Sequence, residues 1–150
     1  MKKKNTILVA DDNADIQIVL GILLRGAGFN TVSAFDGQAA VALAEQTQPD
    51  LVLMDIALPR MDGLAATRQI RQLQGLEQVP IVGCSAYEPE DDERSQQAYA
   101  QMNAFLRKPT DFSTLLSVMQ QLLRPIPTGQ RLGTPMESLG QYALMTSLAA

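Results

Sequence analysis

Short apolar runs alternate along the chain with longer segments in which apolar residues recur every three or four positions. Short runs bounded by loop residues are typical of buried strands, and the longer pattern is typical of amphipathic helices. We predict strands at residues 7–10, 31–34, 51–55, 81–85 and 105–107, and helices at residues 13–27, 38–46, 64–73, 88–101 and about 111–123. This alternation predicts an α/β domain with one parallel sheet, right-handed crossovers and helices on both faces.

The first predicted helix has both boundary signals and an apolar pattern. Asn13 or Asp12 is suited to cap its start, and Gly26 and Gly28 stand where it should end. The apolar positions that follow the helical period are Ile16, Val19, Leu20, Leu23 and Leu24. We therefore expect these five side chains to form the apolar face of the helix.

Polar or charged residues stand where four of the predicted strands end. Asp11 and Asp12 follow the first strand, Asp55 ends the third, Ser85 ends the fourth and Lys108 follows the fifth. Because the carboxyl ends of parallel strands meet at one edge of a sheet, we expect these residues to lie together where open α/β sheets bind ligands. Three carboxylates in one place repel one another, and a hard cation, Mg2+ above all, would offset that repulsion.

This set of groups suits phosphoryl transfer onto a carboxylate. Asp55 is the expected nucleophile, because it stands alone at its strand end while the acid pair is free to hold a metal. Lys108 would place a positive charge against one phosphoryl oxygen, and the Ser85 hydroxyl would donate a hydrogen bond to another. Taken singly, each residue also suits a plainer role as a helix cap, a turn hydroxyl or a solvated charge. Their coincidence at successive strand ends favours the functional interpretation.

The composition favours a single globular domain and excludes several functions. The chain has 150 residues, 46% of them hydrophobic, and a formal net charge of −4 that argues against nucleic acid as a direct partner. It contains no histidine, so it can carry neither a phosphohistidine nor a Ser-His-Asp triad. The single cysteine, Cys84, lies in an apolar stretch and is expected to be buried rather than reactive. No segment suits a signal peptide or a membrane span, so we expect a cytoplasmic protein.

The composition changes after residue 124. The breaker residues Pro125, Pro127, Gly129, Gly133 and Pro135 predict a linker. We therefore expect residues 1–124 to form the domain and residues 125–150 to form a C-terminal tail. Residues 136–148 could make a short, weak helix, but a frayed tail is the favoured interpretation.

Four motifs at the strand ends are highly specific when taken together. They are Asp11-Asp12, Asp55 within the segment LMDIALPRMDG at residues 53–63, Ser85-Ala86 and Lys108-Pro109. With these motifs the chain resembles the receiver domains of two-component response regulators, in particular the chemotaxis-regulator family, from about residue 6 to residue 123. The resemblance implies a doubly wound, flavodoxin-like (βα)5 receiver fold with strand order 2-1-3-4-5. It also implies that Asp55 is the phosphoacceptor.

The resemblance further implies a metal site and a cis peptide bond. The implied metal ligands are Asp12, Asp55 and the backbone carbonyl of Ala57, with Asp11 acting through water. The implied ion is Mg2+, with Mn2+ as the alternative. The Lys108-Pro109 peptide bond is expected to be cis, as is usual in the family.

A switch is implied by the same resemblance. Ser85 would move toward the phosphoryl group, and the aromatic residue three positions before Lys108, which is Phe105, would turn inward. Phenylalanine lacks a hydroxyl that would favour an outward position, so a permanently buried Phe105 stays open as the alternative. The output surface would comprise about residues 90–123.

Three positions depart from the family pattern. Ala57 has no side chain that could orient an attacking water, and Tyr87 is bulky enough to hinder its approach, so we predict slow self-dephosphorylation. Gln101 stands where the family commonly has a turn glycine, which bears on the loop before the fifth strand. The acidic segment 88–93 is expected to be a solvated helix start, with a basic partner surface as the alternative.

The sequence thus predicts a phosphorylation-dependent switch and not a metabolic enzyme. A sensor histidine kinase or a phosphotransfer protein would donate the phosphoryl group, and a downstream protein effector would recognise the result. Neither DNA nor a membrane is an expected partner, because the tail is too short and too weakly basic for a helix-turn-helix module. The oligomeric state, the kinase, the effector and the stimulus are left open.

Two rival functions are weaker. A pseudo-receiver, which binds partners constitutively and takes no phosphate, is disfavoured by the intact acid set and Lys108. An aspartate-nucleophile phosphatase of the haloacid dehalogenase type would need a second acid two residues after its nucleophile. That position holds Ala57.

Overall fold

The predicted α/β architecture is confirmed by a computed structural model of the protein, which describes residues 3–86 and 93–124. The elements in chain order are β1 Thr6–Ala10, α1 Ala14–Gly26, β2 Asn30–Ala34, α2 Gly37–Thr47, β3 Leu51–Asp55, α3 Gly63–Arg71, β4 Ile81–Ser85, α4 Glu93–Tyr99, β5 Ala104–Arg107 and α5 Phe112–Leu122. The predicted bounds of the strands are right to within one residue.

The five strands form one parallel sheet in the order β2-β1-β3-β4-β5, so the expected strand order is confirmed. The pairing of β1 with β2 ends at Ala10 and Ala34, and that of β3 with β4 ends at Asp55 and Cys84. Since all strands are parallel, their carboxyl ends lie along a single edge of the sheet.

Alternate residues of each strand pack into different cores. Leu8 and Val52 belong to one cluster, which includes residues of α2, α3 and α4. Ile7 and Leu53 belong to the other, which includes residues of α1 and α5. Both faces of the sheet are therefore covered, which explains why the strands are continuous apolar runs and do not alternate with polar residues.

Side-chain caps begin four of the helices, each of which follows a strand or loop at the carboxyl edge. Asn13 caps α1, Asp36 caps α2, Asp62 caps α3 and Asp111 caps α5, each accepting hydrogen bonds from backbone N–H groups of the first turn. Such caps satisfy helix donors that have no partner within the helix. They fix where each helix starts relative to the strand ends.

The predicted apolar face of α1 is wrong in part. Val19 and Leu23 are exposed, together with Ile18 and Ile22, which are each 59% exposed. The side of α1 that faces the sheet instead carries Gln17, Gly21 and Leu24 as its buried residues. Because α1 is apolar around most of its circumference, the period alone could not identify the side that packs on the sheet.

The loop before β5 is held by Arg71 of α3. Its guanidinium donates hydrogen bonds to the Gln101 carbonyl at 3.0 and 2.8 Å and to Asn103 Oδ1 at 2.8 Å, and it also bonds the carbonyls of Leu76 and Val79. Burial lowers the pKa of Arg71 to about 10, so it stays charged at neutral pH. Gln101 has no positive φ, so this loop does not require the glycine usual in the family.

The structure gives α4 as Glu93–Tyr99, shorter at its C-terminal end than the prediction of residues 88–101. Residues 88–92 of that prediction lie outside the described residues, as do Tyr87 and the predicted tail, residues 125–150. In the two described ranges, no helix is both long and apolar enough to cross a membrane.

Candidate functional site

Three carboxylates converge at the carboxyl edge of the sheet. Asp11 and Asp12 directly follow β1, and Asp55 is the last residue of the adjacent strand β3. One oxygen atom from each of the three lies within 4.8 Å of those of the other two. Asp11 and Asp55 are buried, whereas Asp12 is exposed. The structure therefore brings together the three acids that the sequence predicted to meet.

Lys108 bridges the two buried acids. Its Nζ atom lies 2.8 Å from Oδ2 of Asp11 and 3.2 Å from Oδ2 of Asp55. The lysine directly follows β5, and its backbone N–H donates to the Ser85 carbonyl of β4 at 2.7 Å. This backbone bond anchors the start of a side chain that must cross the edge of the sheet to reach β1 and β3.

Backbone N–H groups hold the other oxygen of each buried acid. The N–H of Asn13 donates to Asp11 Oδ1 at 2.9 Å, and the N–H of Ala57 donates to Asp55 Oδ1 at 3.1 Å. In both acids one oxygen is thus held by the chain two residues further on and the other by Lys108. This shared pattern of hydrogen bonds fixes the orientation of both carboxylates.

The electrostatics of the site are unbalanced. Burial raises the pKa of Asp55, and the neighbouring Asp11 adds to the rise, while Lys108 and the Ala57 N–H oppose it. Burial alone would lower the pKa of Lys108, but its hydrogen bond to Asp11 and the charges of Asp55 and Asp11 outweigh burial and raise it. A single ammonium group thus contacts two buried carboxylates, and it offsets only part of the rise in the pKa of Asp55 that burial causes.

The donor set fits a hard divalent cation. Three carboxylates and one ammonium leave a net charge of −2, which one divalent cation would neutralise. The oxygen donors carboxylate and carbonyl are those that Mg2+ prefers, and neither histidine nor a thiolate is among the clustered residues.

The two predicted switch residues lie on β4 and β5. Ser85 is buried at the end of β4 and is paired in register with Arg107, one residue before Lys108. Phe105 is also buried, and its ring meets that of Tyr99 edge to face, with 5.2 Å between the centroids. The Lys108-Pro109 peptide bond is cis.

The loop after Asp55 returns closely to the strand it leaves. The N–H of Gly63 donates to the Ile56 carbonyl at 2.9 Å, and a Cβ atom at Gly63 would overlap the carbonyl oxygen of Asp55. Only glycine allows this approach, so the start of α3 packs directly against the backbone of the predicted phosphoacceptor.

Cys84 is the neighbour of Asp55 in the adjacent strand and is partly buried. Burial raises the pKa of its thiol to about 12, aided by the charges of Asp55 and Asp11 and opposed by Lys108. The thiol is therefore protonated at neutral pH and is a poor nucleophile.

Sequence reasoning missed Gln17. This α1 residue is 6% exposed, and its Nε2 atom lies 2.9 Å from the Val9 carbonyl, 3.1 Å from that of Asp11 and 2.9 Å from that of Ala34. The only signal was partial: Gln17 shares the helical period of the buried Leu24, but that period also permits other buried faces. A polar residue in such a position needs hydrogen-bond partners.

Comparison with known proteins agrees with this geometry. A family model described as the response regulator receiver domain matches residues 7–120. The chain is 38% identical over 120 residues to the CAI-1 autoinducer sensor kinase/phosphatase CqsS of Vibrio cholerae, covering 77% of this chain and 17% of that protein. It is 40% identical over 116 residues to the transcriptional regulatory protein PdtaR of Mycobacterium tuberculosis, covering 76% of this chain and 54% of that protein.

Solved structures show the same likeness. The receiver domain of the sensor histidine kinase PA1611 from Pseudomonas aeruginosa PAO1, with a magnesium ion coordinated in its active site cleft, is 35% identical. The match has a TM-score of 0.73 and covers 81% of this chain and 98% of that one. The chemotaxis response regulator CheY4 of Vibrio cholerae is 25% identical, with a TM-score of 0.70 and coverage of 80% and 99%.

A five-stranded doubly wound sheet with an acid cluster and a lysine at its carboxyl edge defines a signalling domain of the receiver class. The chain belongs to the response regulator receiver domain family of two-component systems. Receiver domains accept phosphoryl groups from histidine kinases, and this membership supports a phospho-accepting role in signalling. The chain spans only 17% and 54% of the length of the two curated relatives named above.

Proposed function

We propose that this protein is a phospho-accepting response regulator that takes a phosphoryl group onto Asp55 and thereby switches a protein-interaction surface. Residues 1–124 would form the receiver domain, and residues 125–150 a tail outside it. The observation that carries the proposal is the position of Lys108, whose ammonium contacts both Asp11 and Asp55 beside the exposed Asp12.

The reaction needs a carboxylate that attacks phosphorus. One oxygen of Asp55 would form the new P–O bond as the P–N bond of a phosphohistidine breaks, and the electron pair of that bond would stay on the imidazole nitrogen, which takes up a proton. Lys108 would place its charge against a phosphoryl oxygen, and Ser85 would donate its hydroxyl hydrogen to another. The product is an acyl phosphate on Asp55.

A divalent ion is part of this proposal because the three carboxylates and one ammonium of the cluster leave a net negative charge. Asp12, Asp55 and the carbonyl of Ala57 would hold Mg2+ directly, and Asp11 would do so through water. When bound, Mg2+ would neutralise charge on the carboxylates and on the incoming phosphoryl oxygens. Asp12 is accessible for this role because its side chain is exposed.

The phosphohistidine cannot lie within these 150 residues, because they contain no histidine. A sensor histidine kinase or a phosphotransfer protein would supply the phosphohistidine. The outer face of α1, defined by the exposed side chains of Ile18, Val19, Ile22 and Leu23, begins six residues after Asp12 and is the surface we assign to that donor. Exposed apolar groups clustered on one helix favour contact with another protein.

The output surface would comprise the described parts of α4, β5 and α5. Phe105 of β5 and Tyr99 of α4 contact each other, so movement of one ring would require the other to repack. Ser85 of the adjacent strand is the residue proposed to couple the phosphoryl group to this pair. A downstream protein effector would then recognise the altered surface.

Incubation of the protein with Mg2+ and acetyl phosphate tests the proposal. Mass spectrometry should detect the gain of one phosphoryl group, and Asp55→Asn should abolish that gain. Asp62→Asn is the matched control, because it makes the same change seven residues after Asp55, at a residue that caps α3. No mass gain in the wild type would favour the pseudo-receiver, whereas continuous turnover without a stable adduct would favour a phosphatase.

A further inference from the structure

Gln17 of α1 donates hydrogen bonds to backbone carbonyls at the point where the pairing of β1 with β2 ends. The register of β1 with β2 ends at Ala10 and Ala34, and beyond it Asp11 bonds β2 through its N–H, which donates to the Ala34 carbonyl at 3.0 Å. The Gln17 amide nitrogen reaches the carbonyls of Val9, Asp11 and Ala34 at 2.9, 3.1 and 2.9 Å. Buried carbonyls need donors, and here a single side chain provides them for both strands.

The chemistry fixes the orientation of this amide. Three carbonyl oxygens surround one end of the Gln17 side chain, and a fourth oxygen there would be repelled by all of them. The nitrogen must therefore point toward the strand ends. Its Oε1 atom is buried and has no hydrogen-bond partner among the described residues. An apolar side chain of equal length would avoid this unsatisfied acceptor, but it would remove the donor from the three carbonyls.

The Gln17 bond to Asp11 acts on the peptide that joins the acid pair. The carbonyl of Asp11 belongs to the Asp11-Asp12 peptide plane, and the N–H of Asp11 is fixed separately by the Ala34 carbonyl at 3.0 Å. The main chain of Asp11 is thus held on both sides. Because the peptide is planar, fixing its carbonyl fixes the direction in which the chain enters Asp12. The same plane contains the Cα atoms of Asp11 and Asp12, from which the two side chains extend.

We propose that Gln17 is a positioning residue for the divalent cation: its amide holds the Asp11-Asp12 peptide so that both carboxylates face the ion together with Asp55. This inference rests on the proposed function, because it assumes that the acid cluster binds Mg2+. Gln17 itself does not touch the ion. It acts as other outer residues do at metal sites, by holding the groups that bind the metal.

The experiment compares Mg2+ affinity with stability in three proteins: the wild type, Gln17→Met and Leu24→Ala. Gln17→Met keeps the length of the side chain but removes the donor, whereas Leu24→Ala removes core packing seven residues further along the same helix. Calorimetric titration with MgCl2 gives the affinity, and thermal unfolding without metal gives the stability. Titrations are made at a temperature at which all three proteins are folded.

We expect both variants to be less stable than the wild type, but only Gln17→Met to bind Mg2+ more weakly, by about ten-fold. Equal Mg2+ affinity in Gln17→Met and the wild type would overturn the inference and leave the proposed function intact. An equal loss of affinity in Leu24→Ala would also overturn it, because general loosening would then explain the effect. Failure of the wild type to bind Mg2+ at all would overturn both proposals.

A milder variant covers the case in which Gln17→Met does not fold. Gln17→Asn retains the amide but is one methylene shorter, so it cannot reach all three carbonyls at once. It should weaken Mg2+ binding by a smaller factor than Gln17→Met, with most of its stability kept. Wild-type affinity in Gln17→Asn, together with a crystal structure of the variant in which the contact to the Asp11 carbonyl is lost, would count against the inference.

Discussion

Lys108 donates a 3.2 Å hydrogen bond to Oδ2 of Asp55, a residue 53 positions earlier in the chain. No local pattern joins these two residues, and only the parallel sheet brings the ends of β3 and β5 to one edge. The same ammonium also donates a hydrogen bond to Asp11, so it neutralises part of the carboxylate charge that a metal ion would otherwise neutralise. Competition between the ammonium and a cation for the same carboxylates gives the first prediction.

Replacing Lys108 with Met should destabilise the metal-free protein, because two buried carboxylates lose their counter-charge. The expected cost is about 1–2 kcal/mol, less than for a fully buried pair because the lysine is 30% exposed. Since Mg2+ then has no competitor, adding it should raise the melting temperature of Lys108→Met more than that of the wild type. Lys4→Met, which changes an exposed lysine, is the control. An equal rise in melting temperature on addition of Mg2+ to Lys108→Met and to the wild type would contradict this account.

Gly63→Ala should be strongly destabilising. The new Cβ atom would overlap the carbonyl oxygen of Asp55 and contact the Ile56 backbone, so α3 must move away from β3. Overpacking of this kind costs about 1–3 kcal/mol, and acceptance of a phosphoryl group by Asp55 should slow as its backbone shifts. Gly26→Ala is the matched control, because a Cβ atom there meets nothing within 4 Å. Chemical denaturation of both variants tests the prediction, which fails if they lose equal stability.

The sheet and its edge could be predicted because the signals are local and repeated. Each strand is a short apolar run, and such continuous apolar runs are typical of strands that are buried on both faces of a parallel sheet. Once five strands are assigned, topology alone brings Asp11, Asp55 and Lys108 together. The strand ends predict this proximity, but the hydrogen bonds of Lys108 to Asp11 and Asp55, at 2.8 and 3.2 Å, are a finding of the structure.

The orientation of α1 could not be predicted, for a physical reason. Its apolar residues cover so much of the helix that the period permits more than one buried face, and the true one contains Gln17. Sequence reasoning assumes that a buried position is apolar. It fails where the carbonyls at a strand end require a donor, which is a property of the assembled sheet.

The lifetime of the phosphorylated form should depend on Ala57. Its N–H is used by Asp55, but its methyl side chain cannot orient a water molecule for attack on the acyl phosphate. Replacing Ala57 with Asn, and Tyr87 with Ser, should therefore speed the decay of the phosphorylated form, measured as loss of radiolabel after removal of the donor. Ala57→Val, which adds bulk without polarity, should not. An unchanged decay rate in the double variant would refute this explanation.

The outer face of α1 should affect phosphotransfer from a phosphohistidine protein but not phosphorylation by a small molecule such as acetyl phosphate. Changing Ile18 and Ile22 to Gln should leave stability within about 0.5 kcal/mol, because both side chains are already exposed. Phosphotransfer from a phosphohistidine protein that labels the wild type should slow by about ten-fold or more, equivalent to about 1.4 kcal/mol. Labelling by acetyl phosphate should be unchanged. Equal transfer rates from the protein donor would remove this face from the proposal.

Asp111 should make the stability of α5 depend on pH. Hydrogen bonds from Thr114, through its side chain and backbone, and from Ser113 hold the pKa of this exposed N-cap below its usual value. The ionised form is therefore favoured by folding, so its stabilisation is present above the ordinary carboxyl pKa of about 3.9 and is lost as the pH falls through the lowered value. Asp111→Asn keeps a capping oxygen but does not titrate.

The melting temperature of the wild type should thus exceed that of Asp111→Asn by a constant amount near neutral pH, and the difference should shrink only in acid. Ser113→Ala should lose part of the same pH-dependent stabilisation, because it removes one hydrogen bond to the Asp111 carboxylate. Thermal unfolding monitored by circular dichroism from pH 3 to pH 8 provides the measurement. A difference that grows as the pH falls would show that the sign of the linkage is wrong and that the cap does not favour the charged form.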